Sequence, residues 1–208
     1  MVSNSTNFTL PQPEPLILVI SGPSGVGKDS VIKRLKERLQ SVYVVVTATT
    51  RPPREGEQDG VDYFFLSREQ FTEMIARDAL LEHTLVYEDY KGIPKDQIRR
   101  ALASGKDVIL RVDVQGAATV HAMCQEAILI FLSPRSEDEL IRRLEERKSE
   151  TDSSLALRIQ TAREEMARLD EYDYVVENIQ GHLDRAVDAI VAIITAEHSR
   201  VHQRKASL

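Results

Sequence analysis

The apolar run Leu16–Ile20 (LILVI) passes directly into Gly22-Pro23-Ser24-Gly25-Val26-Gly27-Lys28, and no other feature constrains the fold as tightly. A run this short and this apolar fits a buried strand. Glycines at 22 and 27 let the backbone curl so that its N–H groups converge on an anion. Behind them, Val31, Ile32, Leu35 and Leu39 form one apolar stripe at helical spacing. A helix starting near Lys28 aims its positive end at the same spot, and Lys28 adds a point charge suited to β- and γ-phosphates. Strand, glycine loop, lysine and amphipathic helix stand in the order that a nucleoside triphosphate cradle requires. The pattern normally places a hydroxyl after the lysine, to help hold Mg²⁺. Here Asp29 follows, and the hydroxyl, Ser30, comes one residue later. Asp29 suits two roles equally: a direct or water-mediated Mg²⁺ ligand, or an acid favoured by the helix dipole. A cation, Mg²⁺ or Lys28, is expected beside it, because a lone negative charge here weakens phosphate binding.

Further short β-branched runs recur at Tyr43–Val46, at Val108–Leu110 with Val112, at Ala127–Leu132 and at Tyr174–Val176. Continuous apolar runs of this length belong to parallel strands covered on both faces. Helical stripes separate most of them. Leu140, Ile141 and Leu144 form one, with Ser136 and Glu139 as a capping box at its start. Ile159, Met166 and Leu169 mark a second, highly charged one. Leu183, Val187, Ile190, Val191 and Ile194 mark the last. This alternation predicts an α/β fold around a parallel sheet. Two segments break it. Residues 47–97 are rich in Arg, Glu, Gly and Tyr, with a helix opened by a Ser67–Gln70 capping box. Residues 135–164 are highly charged and poor in large apolar groups. Both read as insertions able to move against the core, and residues 1–15, with Pro11, Pro13 and Pro15, read as a loose tail.

The 208 residues suffice for one sizeable domain, and 42% hydrophobic with 29% charged residues suits a soluble protein with its own core. A formal charge of −6 argues against broad nucleic-acid binding through counterion release. No apolar run approaches the roughly 20 residues that span a bilayer, and no basic flank with an apolar stretch marks a signal peptide. A cytoplasmic location is the default expectation. The single cysteine, Cys124, is expected to pack rather than react. His198 and His202 sit at i, i+4 on a helix but lack a third ligand, so both read as surface histidines.

The segment Thr47-Ala-Thr-Thr-Arg51-Pro-Pro-Arg54-Glu-Gly56-Glu57-Gln-Asp-Gly60-Val-Asp-Tyr63-Phe-Phe follows the second strand run, on the side where open α/β sheets bind ligands. Arg51 and Arg54 offer planar forks suited to a phosphate. Pro52 and Pro53 stiffen the link between them, and Tyr63 adds a hydroxyl. A second anion site is expected here. The string TTRPPREGEQDGVDYFF closely resembles the GMP-binding signature of guanylate kinases. GPSGVGK resembles their P-loop, and VDVQGA at 112–117 and YDYVVEN at 172–178 resemble two further blocks. The resemblance runs from about Leu16 to the last helix.

It implies a P-loop kinase core around a five-stranded parallel sheet (16–46, 98–134 and 165–208), a GMP-binding insert (47–97) and a helical lid (135–164). It implies transfer of the γ-phosphate of ATP to GMP or dGMP, with Mg²⁺ accompanying ATP. Gly22, Pro23, Ser24, Gly25, Val26, Gly27, Lys28, Asp29 and Ser30 then form the ATP phosphate site, and Asn178 lies beside the adenine. Arg51, Arg54 and Tyr63 hold the GMP phosphate. Glu82 reads guanine N1–H and the 2-amino group, Asp113 is a second acid near the base, and Thr47 stands where a serine usually faces it. A carboxylate suits guanine, which presents two adjacent donors where adenine presents none. Arg143, Arg147 and Arg158 match lid arginines that close over the ATP phosphates.

Three positions depart from the family pattern. The usual Tyr-Gly-Thr or Tyr-Gly-Ser reads Lys91-Gly92-Ile93, so Lys91 supplies charge where a tyrosine touches the GMP phosphate, and Tyr90 is a second substitute by a small shift. Ile93 lacks the base-reading hydroxyl. Arg111 replaces an acid two residues before Asp113, reversing a charge near the phosphates. Lys28-Asp29-Ser30 also resembles ribose 1,5-bisphosphate phosphokinases of the same fold, which lack most of the TTRPPR string. A non-catalytic guanylate-kinase-like binding module is the other rival reading.

Overall fold

The computed structural model describes residues 12–86, 88–146, 152–206 and 208. Its core is a five-stranded, all-parallel sheet in the order β2-β7-β1-β8-β9, made of β1 (Ile17–Ser21), β2 (Val42–Val44), β7 (Asp107–Arg111), β8 (Ile128–Ser133) and β9 (Tyr174–Glu177). These are the five apolar runs of the sequence. Their alternation explains the three layers. Leu18 and Ile20 of β1 pack with Val31, Ile32 and Leu35 of α1 (Lys28–Arg38) and with Val187, Ile190 and Ile194 of α7 (Leu183–His198). Ile17 and Val19 point the other way, onto Ile98 and Ala101 of α3 (Lys95–Ala103) and Ala117 and Val120 of α4 (Val114–Met123). Cys124 is buried in this second cluster, as a packing residue.

Residues 47–97 carry a second, four-stranded sheet in the order β4-β3-β6-β5, with β3 (Ala48–Thr49), β4 (Phe64–Phe65), β5 (Leu80–Val86) and β6 (Asp89–Pro94). Helix α2 (Arg68–Ala76) covers it through a small core of Ala48, Phe71 and Leu80. Its capping box is complete: the Gln70 N–H donates to Ser67 Oγ (3.2 Å), and the Ser67 N–H donates to Gln70 Oε1 (2.8 Å). Helix α3 begins at Lys95, inside the expected end of this segment. Residues 135–164 carry α5 (Glu137–Glu145) and most of α6 (Asp152–Met166), joined by Leu140, Leu144 and Ala162.

Several expectations need correction. The Ser136 cap is only half a box: its Oγ accepts from the Glu139 N–H, but Glu139 Oε1 turns away to Arg143 and the Gln180 N–H. Glu139 Oε2 meanwhile accepts from the Arg135 N–H (3.2 Å), so the carboxylate is fully engaged without the Ser136 N–H. Leu169 is not in the same helix as Ile159 and Met166; it opens a separate 3-10 turn, Leu169–Glu171. Pro11 and the tail before it lie outside the described residues, and at Glu14 the chain is already tied, its N–H donating to Gln203 Oε1 (2.9 Å). His198 is no free surface histidine, since its Nε2 lies 2.9 Å from Asp107 Oδ1, the atom that also accepts from the Leu16 N–H.

Gly22 marks the point where β1 turns into the loop. Its φ is +138°, and a Cβ there would stand 2.2 Å from the Leu132 carbonyl oxygen of β8. Neither the backbone angle nor that oxygen can yield cheaply. Gly22→Ala is therefore expected to destabilise the fold by about 3 kcal/mol or more. Urea unfolding without nucleotide measures it, and an unchanged midpoint would contradict the packing described.

Candidate active site

The glycine loop leaves β1, the central strand, and closes at Gly27, which caps α1 in the left-handed region (φ 93°). Lys28 folds back on the loop, its Nζ donating to Gly22 O (2.6 Å) and Pro23 O (3.2 Å). Burial pushes the Lys28 ammonium below its ordinary value, while Glu165, Asp29 and Asp113 pull the other way. Burial pushes the carboxyl of Glu165, on α6, up, against the opposing pull of Lys28 and the Ser24 backbone. Glu165 was not foreseen; nothing in the charged string of α6 distinguishes it from its neighbours.

The segment 135–164 reaches the loop through its arginines. Arg143 donates to Val26 O (3.0 Å) and to Asn178 O (2.6 Å), and is paired with Glu139. Arg158 donates to Ser24 Oγ (3.2 Å). Arg147 lies outside the described residues. Asn178 is buried, and its side-chain amide donates to Val26 O (2.7 Å) while its backbone N–H donates to Ser133 O (2.9 Å). Its side chain therefore braces the phosphate loop.

Across from the loop opens a cleft of ≈ 340 Å³. Ser24, Gly25, Gly27, Lys28, Asp29 and Ser30 form one wall; Thr47, Tyr63, Glu82, Lys91 and Asp113 form the other. Glu82 is brought there by β5 and Asp113 by the start of α4, where its Oδ1 accepts from the Gly116 N–H (2.7 Å). Burial, with repulsion from Asp113, pushes the Glu82 carboxyl up to about 7. Ile93 pairs with Glu82 across the β5–β6 ladder and is buried. Thr84, two residues beyond Glu82 on the same strand, also lines the cleft and brings a hydroxyl. Its period-2 spacing from Glu82 was the available signal.

Arg51 and Arg54 border a second cleft, with Tyr63 as a shared wall. Arg51 is locked by Glu57 through a two-pronged pair (2.7 and 2.6 Å), and its guanidinium carbon lies 4.7 Å from the Tyr63 ring centroid. The hydrogen bond from Arg51, then that from the Arg54 N–H, holds the Glu57 carboxyl down at about 2. Glu57 stands in the recognised string, and no local pattern announces it as the partner of Arg51. Tyr90 does not substitute in the cleft: its ring stacks on Phe71 (5.2 Å between centroids) in the core of the small sheet. The cation beside Asp29 is Arg111, at 2.6 Å. Among the described residues no three acidic, histidine or cysteine side chains gather as a metal site, and none of the helices is long and apolar enough to cross a membrane.

A glycine cradle at the end of a central parallel strand, facing carboxylates and an arginine-bearing insert, defines a P-loop nucleotide kinase architecture. The family description "Guanylate kinase" matches residues 14–197. Guanylate kinase 2, chloroplastic/mitochondrial, of Oryza sativa subsp. japonica is 53% identical over 95% of this chain and 70% of its own length. A guanylate kinase of Clostridium perfringens is 43% identical over 93% of this chain and 88% of its own. The crystal structure of guanylate kinase from Anaplasma phagocytophilum superposes with a TM-score of 0.74 at 30% identity, covering 91% of this chain and 89% of that one. The chain belongs to the guanylate kinase family.

The raised Glu82 carboxyl has a consequence for stability. Between the unfolded value of 4.5 and about 7, the folded protein keeps a proton that the unfolded chain has shed. Stability attributable to this group therefore falls as pH rises through that window. Glu82→Gln is expected to melt at a higher temperature than the wild type at pH 8, without nucleotide, and the gap to narrow toward pH 4.5. A variant that melts lower at pH 8 would contradict this assignment.

Proposed function

We propose that the protein transfers the γ-phosphate of ATP to GMP or dGMP, giving ADP and GDP or dGDP. The observation carrying this reading is the single cleft in which the loop of Lys28 faces the carboxylates of Glu82 and Asp113. In this reading the loop N–H groups and Lys28 hold the β- and γ-phosphates of ATP. These phosphates would carry Mg²⁺, which would supply charge neutralisation there. Ser30 fits a hydroxyl ligand for it. Asp29 fits less well, because Arg111 already occupies its Oδ1 and places a positive charge beside it. Mg²⁺ keeps several waters and relies mainly on phosphate oxygens, so a sparse protein donor set suits it.

GMP enters from the insert side. Arg51, Arg54, Tyr63 and Lys91 grip its phosphate, with Arg51 handing Glu57 over in part for the ligand. Glu82 accepts from N1–H and the 2-amino group, Asp113 supports it, and Thr47 and Thr84 offer hydroxyls to the base edge. Thr84 thereby supplies on β5 what Ile93 lacks on β6. A GMP phosphate oxygen then bonds to the γ-phosphorus as the bond from that phosphorus to the β–γ bridging oxygen breaks, its electron pair leaving with ADP. Since the attacking phosphate oxygen is already anionic, no general base is required. The work is positioning and charge neutralisation. Arg143, Arg147 and Arg158 bring the lid over the ATP phosphates, and closure excludes the water that competes for the phosphoryl group.

An ADP-release assay offering GMP, dGMP, AMP and ribose 1,5-bisphosphate tests the reading directly. Turnover is expected with the guanine nucleotides; ribose 1,5-bisphosphate as the preferred acceptor, or no ADP release at all, overturns it. Lys28→Ala is expected to lower kcat by roughly 10³-fold. Arg54→Ala is expected to raise KM for GMP by about tenfold with KM for ATP little changed.

Guanine also demands an ionised Glu82, whereas the free protein keeps it largely protonated below pH 7. GMP binding should therefore release a proton at pH 6 and almost none at pH 8.5, with affinity falling as pH drops through about 7. Calorimetry in two buffers of different ionisation enthalpy reads the release. No proton release at pH 6 would remove Glu82 from the base site.

A further inference from the structure

Asp29, which departs from the usual phosphate-loop pattern, and Arg111, which departs from the family pattern, are partners. Asp29 stands in the first turn of α1, directly after Lys28, and Arg111 ends β7, in register with Ile20 on β1. Arg111 Nη1 donates to Asp29 Oδ1 at 2.6 Å. The guanidinium carbon of Arg111 also lies 5.2 Å from the centroid of the Tyr63 ring, which Arg51 approaches to 4.7 Å. Arg111 and Tyr63 border both the cleft of the phosphate loop and the adjoining cleft of Arg51 and Arg54. Arg111 thus stands on the line between the two phosphate grips.

The pair is poorly placed to serve stability. Asp29 is 74% exposed, and an ion pair with so exposed a partner contributes little to folding. Yet Arg111 itself is only 27% exposed, and among the described residues its side chain makes no hydrogen bond other than that to Asp29. Burial works against its charge, but Tyr63 and Asp29 outweigh that and hold the guanidinium above the ordinary arginine value. A fixed cation with most of its planar fork unspent, at the seam between two phosphate sites, matches two oxygens of a phosphoryl group.

We infer that Arg111 is a further catalytic residue of the transfer, its guanidinium bridging the GMP phosphate and the phosphoryl group in flight, with Asp29 as its positioning residue. This rests on the proposed ATP-to-GMP reaction. As the new O–P bond forms and the β–γ bond breaks, negative charge from two phosphates converges on the seam. Arg111 meets it there with no proton changing hands. Asp29 holds the fork at the loop and leaves its other donors free.

The test compares the wild type with Arg111→Ala, Arg111→Lys, Asp29→Asn and the double variant Asp29→Asn/Arg111→Ala. Steady-state kinetics are measured for both substrates. Calorimetry without divalent metal measures binding of ADP, of GMP and of a bisubstrate analogue joining adenosine to guanosine through five phosphates. For Arg111→Ala, kcat is expected to fall by roughly 10²-fold, with both KM values within about threefold. The bisubstrate analogue should bind about 30-fold more weakly, while ADP and GMP each change by no more than about threefold. Arg111→Lys, which keeps the charge and loses the fork, should recover part of kcat. Asp29→Asn should cost about fivefold, and the double variant should be no worse than Arg111→Ala, because Asp29 acts through Arg111. A kcat for Arg111→Ala within threefold of wild type, or equal losses of single-nucleotide and bisubstrate binding, overturns the inference. Additive losses in the double variant overturn the role of Asp29. A wild type that does not phosphorylate GMP overturns the underlying reading instead.

Discussion

The carbonyl of Val26 accepts two hydrogen bonds, from the Asn178 side-chain amide (2.7 Å) and from Arg143 (3.0 Å). Three parts of the molecule meet on that one oxygen: the phosphate loop, the turn after β9 and helix α5. The meeting is possible only because Gly27 lacks a side chain; a Cβ there would stand 2.6 Å from the Asn178 nitrogen. Gly27 therefore answers two demands at once, the left-handed turn into α1 and the close approach of the brace. A backbone loop must be held in shape before its N–H groups can converge on phosphate, and here the holding groups come from residues 117 and 152 positions away in sequence. Ser133, at the end of β8, fixes the brace in turn by accepting from the Asn178 N–H.

A second regularity concerns charge. Four of the cations proposed to touch phosphate already have a resident partner. Lys28 rests on two loop carbonyls near Glu165, Arg51 on Glu57, Arg143 on Glu139 and Arg111 on Asp29. A substrate phosphate must displace or share these partners, which costs some affinity. In return the long side chains are ordered before the ligand arrives, so less rotamer entropy is lost on binding. For Lys28, Glu165, Asp29 and Asp113 offset part of the cost of burying its charge.

The core was legible in the sequence because its signal is local. Five apolar runs became the five strands, and the stripe of Val31, Ile32 and Leu35 became the buried face of α1. Helices α3 and α4 announce themselves less. Of the two, α3 is short and buries little more than Ile98 and Ala101, and α4 buries small residues such as Gly116 and Ala117, which form no strong stripe. The residues of the cleft were legible mainly through ordered motifs such as TTRPPREGEQDGVDYFF. What they touch was not, because partners lie far apart in sequence: Arg111 finds Asp29 82 positions away, and Asn178 finds Val26 152 positions away. Spacing rules reach a few residues along a helix or strand; they carry no information about such pairs.

The two segments outside the core each own a small apolar cluster, Ala48, Phe71 and Leu80 in one, Leu140, Leu144 and Ala162 in the other. Each can therefore keep its internal geometry if it shifts. Their attachments differ. At the root of the segment 47–97, Gln97 Oε1 accepts from the Val46 N–H (2.9 Å) and from the Tyr43 hydroxyl (3.1 Å), while Gln97 Nε2 donates to Val46 O (2.8 Å). Both backbone groups of the residue just before the segment are thus satisfied by the residue that ends it. That geometry closes the segment like a rung across its own base, while Leu81 of β5 and Ile93 of β6 pack into the core cluster beside α3 and α4. The segment 135–164 instead holds the phosphate loop directly, through Arg143, Arg158 and the contact of Leu144 with Gly25. A displacement of α5 is felt at once by the loop N–H groups, whereas a displacement of the small sheet is felt by Glu82, Lys91 and Tyr63 at the opposite wall. In the proposed reaction one wall would serve the triphosphate and the other the acceptor, with Arg111, on the core strand β7, between them.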